Sequence, residues 1–211
     1  FITKIGKDNY SDMALATFQD SGVKTKYIIQ DKTLNTGVAG IFVSETSGEN
    51  AITIVPGAAG TIKNEDIDNF KDIFDDSNIF LTQLETPIKT TLYALKKAKD
   101  NGCITILNPA PATDIDQKLF SSIDFFTPNE IEAGYYLKKD LKSKSDIESA
   151  AKDFLDKGIK NIIITLGEKG LYFANAQEKY FVDTFKLNNK VVDTTGAGDA
   201  FNGAFAFALA N

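Results

Sequence analysis

Residues 161–166, Asn-Ile-Ile-Ile-Thr-Leu, are too apolar for a half-exposed strand, and a strand that is apolar on both sides needs cover on both faces of its sheet. That is the look of a central parallel strand. Just upstream, Ser145-Asp146-Ile147-Glu148 has the S-x-x-E form of a capping box, apolar residues follow at 147, 150, 151, 154 and 155, and Gly158 closes the segment. The spacing predicts an amphipathic helix feeding the strand. Similar units are 78–84 with a helix from about Pro87 to Asp100, 104–107 with a Pro-punctuated loop, and 125–127 with a helix starting near Asn129. Alternation of this kind predicts an α/β fold, a mainly parallel sheet with helices on both faces.

One stretch breaks the rhythm. Residues 36–43 and 51–55 are β-rich and joined by a polar turn over 44–50, which reads as a hairpin and not as a strand–helix–strand unit. A surface protrusion and a cover for a binding site both fit it.

Composition removes several function classes. The net charge of -6, with lysines and carboxylates interleaved, offers no basic stripe for a nucleic-acid backbone. With no histidine or arginine, the chain supplies no His-dependent triad, no His-ligated zinc and no arginine finger, so a general base must be a carboxylate, Lys or Tyr. The single Cys103 cannot form an intramolecular disulfide, which suits a reducing cytoplasm. No apolar run approaches a membrane span, and the first residues lack the form of a signal peptide. Phe1 is not an initiator methionine and Asn211 falls inside an apolar helical run that begins at Ala200, so both ends read as truncations.

In open parallel sheets, ligands bind beyond the carboxyl ends of the strands. Polar residues fall there four times: Glu85, Asn108, Asn129 with Glu132, and Thr165 with Gly167. Glu85 also fits an ordinary acid at a helix N-terminus, but jointly the four positions suggest one cleft.

The most informative segment is Asp193-Thr194-Thr195-Gly196-Ala197-Gly198-Asp199-Ala200-Phe201. Two glycines before a helix let backbone N–H groups crowd around an anion, and the helix N-terminus adds positive partial charge. Phe201 stands where a dinucleotide fingerprint needs its third glycine, and no P-loop occurs in the chain. A carboxylate at Asp199 can accept a proton from an alcohol while neighbouring amides stabilise a transferring phosphoryl group. A plain helix cap after a flexible glycine turn is the bland alternative.

At these residues the chain resembles the ribokinase-type (PfkB-type) carbohydrate kinases, whose C-terminal signature D-T-T-G-A-G-D-A-F matches. Leu84-Glu85-Thr86-Pro87, Asn108-Pro109-Ala110-Pro111-Ala112, Thr127-Pro128-Asn129-Glu130-Ile131-Glu132, Thr165-Leu166-Gly167-Glu168-Lys169-Gly170 and Gly6-Lys7-Asp8 are similar to further family segments, in the family's order. The resemblance implies a three-layer α/β/α sandwich with a small β lid: 1–35 as the first part of the core, 36–56 as the lid hairpin, and 57–211 as the core with the nucleotide and catalytic site. It implies transfer of the ATP γ-phosphate to a sugar. The N-P-A-P-A run favours the 5-hydroxyl of D-ribose, with another sugar, a sugar acid or a nucleoside as alternatives, and a catalytically silent sensor as a reading from another class.

The implied roles follow position by position. Asp199 is the base, and Gly196, Ala197 and Gly198 form the anion hole. Glu85 binds sugar. Asn129 and Glu132 organise Mg²⁺, chiefly through its waters. Thr165, Gly167 and Gly170 lie against the nucleotide, as do Asn129, Gly196 and Gly198, while Asp193 and Thr195 belong to a monovalent-cation (K⁺) site. The hairpin covers the sugar and builds a homodimer contact. The family's N-terminal sugar-binding strand, its glycine-rich sugar-gripping segment and the C-terminal part of the adenine pocket have no counterpart in the 211 residues, which implies that this stretch alone is inactive.

Overall fold

The computed structural model describes residues 1–43, 50–186, 191 and 193–211. They form two compact units: Phe1–Lys71 with Glu85–Thr90 and Val191–Thr194, and Asp72–Leu84 with Thr91–Lys190 and Thr195–Asn211.

In the first unit, β1 (Thr3–Ile5) leads into α1 (Asn9–Asp20) and returns as β2 (Ile28–Gln30), parallel to β1. Asp8 starts α1: its carboxylate accepts from the Ser11 N–H at 2.9 Å, and the Ser11 hydroxyl accepts from the Asp8 N–H at 3.0 Å. Reciprocal bonds of this kind satisfy donors that the helix start would leave open. The predicted hairpin is present as β3 (Val38–Val43) and β4 (Asn50–Val55), antiparallel with Val38 opposite Val55. Its turn, 44–49, lies outside the described residues. Val38, Ile41, Phe42, Val43, Ile52 and Ile54 are all exposed, so among the described residues neither face of this ribbon is covered. After the hairpin comes α2 (Asn64–Asp68).

The second unit opens within α3 (Lys71–Asp75) and contains β5 (Ile79–Thr82), α4 (Ile88–Asp100, from residue 91), β6 (Ile104–Leu107) and β7 (Phe125–Phe126). It continues with α5 (Glu130–Leu137), α6 (Lys144–Asp156), β8 (Asn161–Thr165), β9 (Leu171–Ala174), β10 (Lys179–Val182) and α7 (Ala197–Ala210). One six-stranded sheet runs in the order β10-β9-β8-β7-β6-β5. The four strands from β5 to β8 are parallel, as their apolar runs predict, and Ile162, Ile163 and Ile164 of β8 are all buried.

Beyond β8 the sheet turns antiparallel, a hairpin extension that the apolar pattern did not announce. The chain-length reason is simple. Only residues 166–170 separate β8 from β9, too few for the crossover that a parallel return needs.

Helices cover both faces. The Phe126 ring meets Phe154 of α6 at 5.3 Å and Tyr136 of α5 at 5.7 Å, whereas its neighbour Phe125 meets Phe205 of α7 at 5.0 Å. Successive strand residues point to opposite faces, so α5 and α6 form one outer layer and α7 the other. The cap of α6 differs from expectation. Ser143, not Ser145, is the N-cap, with Asp146 accepting from the Ser143 N–H at 2.8 Å and hydroxyl at 2.8 Å. The box is S-x-x-D, two residues upstream of the S-x-x-E match. Ser145 already lies inside the helix and Glu148 is exposed.

At the amino ends of the strands, Asp124 ties the sheet. Its carboxylate takes the Thr105 N–H at 3.0 Å and the ammonium groups of Lys99 at 2.5 Å and Lys160 at 2.9 Å. Burial opposes its charge, but the Lys99 ammonium, the Thr105 N–H and Lys160 together hold its pKa down at about 2.

Candidate active site

α7 starts at Ala197, within the glycine-rich segment and three residues before the Ala200 at which the apolar run begins. Gly196 is its N-cap at φ 76°, the left-handed region that glycine enters without strain, and among the described residues no side chain caps the helix. The first turn holds Ala197, Gly198 and Asp199, all exposed, so Gly198 sits inside the helix start and not before it. Uncapped, exposed N–H groups with a carboxylate beside them can receive an anion and take a proton at one place.

Asn129 and Glu132 are joined directly. Asn129 is the N-cap of α5 and accepts from the Glu132 N–H at 2.8 Å, while the Glu132 carboxylate accepts from the Asn129 N–H at 2.8 Å. Burial pushes the Glu132 carboxyl above its ordinary range, partly offset by that N–H. Thr165 comes to the same place: Asn129 and Thr165 extend the pairing of β7 with β8 by one parallel bridge, and the Thr165 N–H donates to the Pro128 carbonyl at 3.0 Å. The turn after β8 is closed by Leu166 N–H to Gly170 carbonyl at 2.8 Å, with Gly167 exposed. Gly170, at φ 86°, packs so tightly on β10 that a Cβ would collide with the Val182 carbonyl.

Two residues tie these pieces together. Asn108 is buried, and its amide donates to the Thr127 carbonyl at 2.8 Å, so it braces a strand end. Asn202, absent from the sequence-predicted site, is buried on α7. Its oxygen accepts from the Thr127 hydroxyl at 2.7 Å and its amide donates to the Gly198 carbonyl at 2.9 Å. The signal was there: Asn202 is the one polar side chain between Ala200 and Ala210. Glu85 and Asp193 belong to the first compact unit, and Thr195 to the second; Glu85 is exposed.

Among the described residues no group of three or more His, Cys, Asp or Glu side chains could cage a metal ion. Asn129 and Glu132 offer oxygen donors, the ligand type that magnesium takes alongside water. Among the same residues no helix is long and apolar enough to cross a membrane.

A model of the pfkB family of carbohydrate kinases matches residues 1–211. The chain belongs to this family. Among pfkB relatives, it is 39% identical to ribokinase of Staphylococcus aureus over 99% of its own length and 68% of that protein. It is 36% identical to deoxyribokinase of Salmonella typhi over 97% of its length and 66% of that protein. The structure of Arabidopsis thaliana ribokinase complexed with ribose and ATP superposes with a TM-score of 0.86 at 28% identity, covering 99% of this chain and 68% of that one. The fold is thus the ribokinase-like α/β fold, and the chain spans about two thirds of the length of these pfkB relatives.

Proposed function

We propose that the chain carries the phosphoryl-transfer core of an ATP-dependent sugar kinase that phosphorylates the 5-hydroxyl of D-ribose. The observation that carries this reading is the uncapped start of α7, where Gly196, Ala197 and Gly198 offer N–H groups beside the Asp199 carboxylate. Asp199 takes the proton of the sugar hydroxyl, and the amides stabilise charge on the transferring phosphoryl group. Asn129 and Glu132 hold water around Mg²⁺, which supplies charge neutralisation on the phosphates when it is bound with ATP. Thr165, Gly167 and Gly170 line the nucleotide, and Glu85 contacts sugar. A K⁺ ion at Asp193 and Thr195 belongs to the same proposal.

The bare ribbon of β3 and β4 supports a lid that also pairs two copies of the protein. Exposed apolar area of that kind is characteristic of interaction surfaces. A cytoplasmic location fits the lone, buried Cys103.

The test is ADP release by the natural full-length protein against D-ribose, 2-deoxy-D-ribose, D-fructose, 2-keto-3-deoxygluconate and adenosine. Preference for D-ribose supports the proposal, and absence of turnover with every acceptor sinks it. 2-Deoxy-D-ribose is the second reading, because the similarity to deoxyribokinase is nearly as strong as that to ribokinase.

A further inference from the structure

We infer that Asn202 and Thr127 are positioning residues for phosphoryl transfer: together they fix the first turn of α7 on the carboxyl ends of the strands, and so aim Asp199 and its neighbouring amides. The inference rests on the reading of residues 196–199 as anion hole and base.

The geometry is a buried polar line. The Asn108 N–H donates to the Thr82 carbonyl at 3.0 Å, and its side-chain amide donates to the Thr127 carbonyl at 2.8 Å. The Thr127 N–H donates to the Leu107 carbonyl at 3.0 Å, and its hydroxyl to Asn202 at 2.7 Å. Asn202 then donates to the Gly198 carbonyl at 2.9 Å, one residue before Asp199. Thr127 is 1% exposed and Asn202 3%.

A helix sitting on a sheet through apolar contacts such as Phe205 on Phe125 can slide or turn at small cost, because such contacts are non-directional. A buried hydrogen bond of set length and angle restricts both motions. Asn129, two residues after Thr127, caps α5 and binds Glu132, so the same link sets the α5 start in register with the α7 start. Phosphoryl transfer depends heavily on such alignment, and a misplacement of about 1 Å is costly.

A merely structural pair behaves differently, since replacing both members of a buried hydrogen bond by apolar groups of similar size is close to neutral for stability. The test uses the natural full-length protein with ATP and D-ribose, and compares Asn202→Leu, Thr127→Val, their combination, Thr127→Ser and Asp199→Asn. Each of the first two is expected to lower kcat roughly tenfold to a hundredfold, with both KM values within about threefold. Thr127→Ser, which keeps the hydroxyl, is expected to stay within about threefold of the unmodified enzyme, and the double variant to lose no more than the worse single one.

Additive losses, or kcat within about threefold in both Asn202→Leu and Thr127→Val, overturn the inference. If Asn202→Leu does not fold, Thr127→Val against Thr127→Ser decides by the same criteria. Asp199→Asn separates the two levels. Normal turnover there overturns the site reading and the inference with it, whereas a dead Asp199→Asn beside normal Thr127 and Asn202 variants overturns the inference alone.

Discussion

Asp8 and Thr36, 28 residues apart, are bound twice: the Asp8 carboxylate accepts from the Thr36 N–H at 2.7 Å and from its hydroxyl at 2.8 Å. The same carboxylate caps α1, so one side chain joins a helix start to the root of the β3–β4 ribbon. The Thr36 N–H, followed by that of Ser11, holds the Asp8 carboxyl below its ordinary range.

Asp8→Ala is therefore expected to loosen the ribbon at its root and fray α1 together. Hydrogen exchange of the β3 and β4 amides should speed up roughly tenfold. Unchanged exchange would show that the ribbon is anchored elsewhere.

Asp199→Asn keeps the shape of the first turn but cannot take a proton. Turnover is expected to fall by roughly a thousandfold or more while calorimetric sugar binding is retained. Turnover within about tenfold of the unmodified enzyme would remove the assignment.

Glu132→Gln tests the Asn129–Glu132 pair. Glutamine still accepts from the Asn129 N–H, so α5 keeps its cap. The Mg²⁺ concentration for half-maximal activity should rise roughly tenfold, with little change in KM for sugar. Stability should move the other way. Because burial raises the Glu132 carboxyl, its favourable contribution is complete below the unfolded pKa and is lost as pH rises through the folded one. At pH 7 the glutamine variant is expected to unfold at a denaturant concentration equal to or above that of the parent.

Asp124→Asn acts at the other end of the strands and should leave kcat unaltered. With its pKa lowered from 3.8 to about 2, Asp124 contributes stability that is complete above the unfolded value and lost as pH falls through the folded one. Urea unfolding should show a deficit of about 2 kcal/mol at pH 7, closing between pH 4 and pH 2. A deficit that does not vary with pH would point to packing and not to charge.

How much of this was legible in the sequence depends on the physics of each piece. Ile162, Ile163 and Ile164 declared a covered strand because burial on both faces leaves no polar position, and Gly196 to Asp199 declared a helix start because backbone freedom and an acid in the first turn are local matters. The β9–β10 extension was harder to see: Tyr180 and Val182 are exposed on an edge, so the apolar pattern there is diluted. The α6 cap lies two residues upstream of the expected one because Ser143 and Ser145 each have an acid three residues on, and only the extended backbone of Ser143 decides between them. Asn202 escaped because its partner Thr127 is 75 residues away, and no local period encodes such a pair.

The alternation of Phe125, Phe126 and Thr127 across the sheet has a consequence for how the protein tolerates change in length. A single residue inserted or deleted within 125–127 would swing a phenyl ring to where the Thr127 hydroxyl meets Asn202, and the hydroxyl into the aromatic layer of Tyr136 and Phe154. The loop 111–116 leading toward it has no such parity. Natural or engineered length variation should therefore collect before Asp116, and the stretch from Asp124 to Asn129 should keep its count even where its side chains drift.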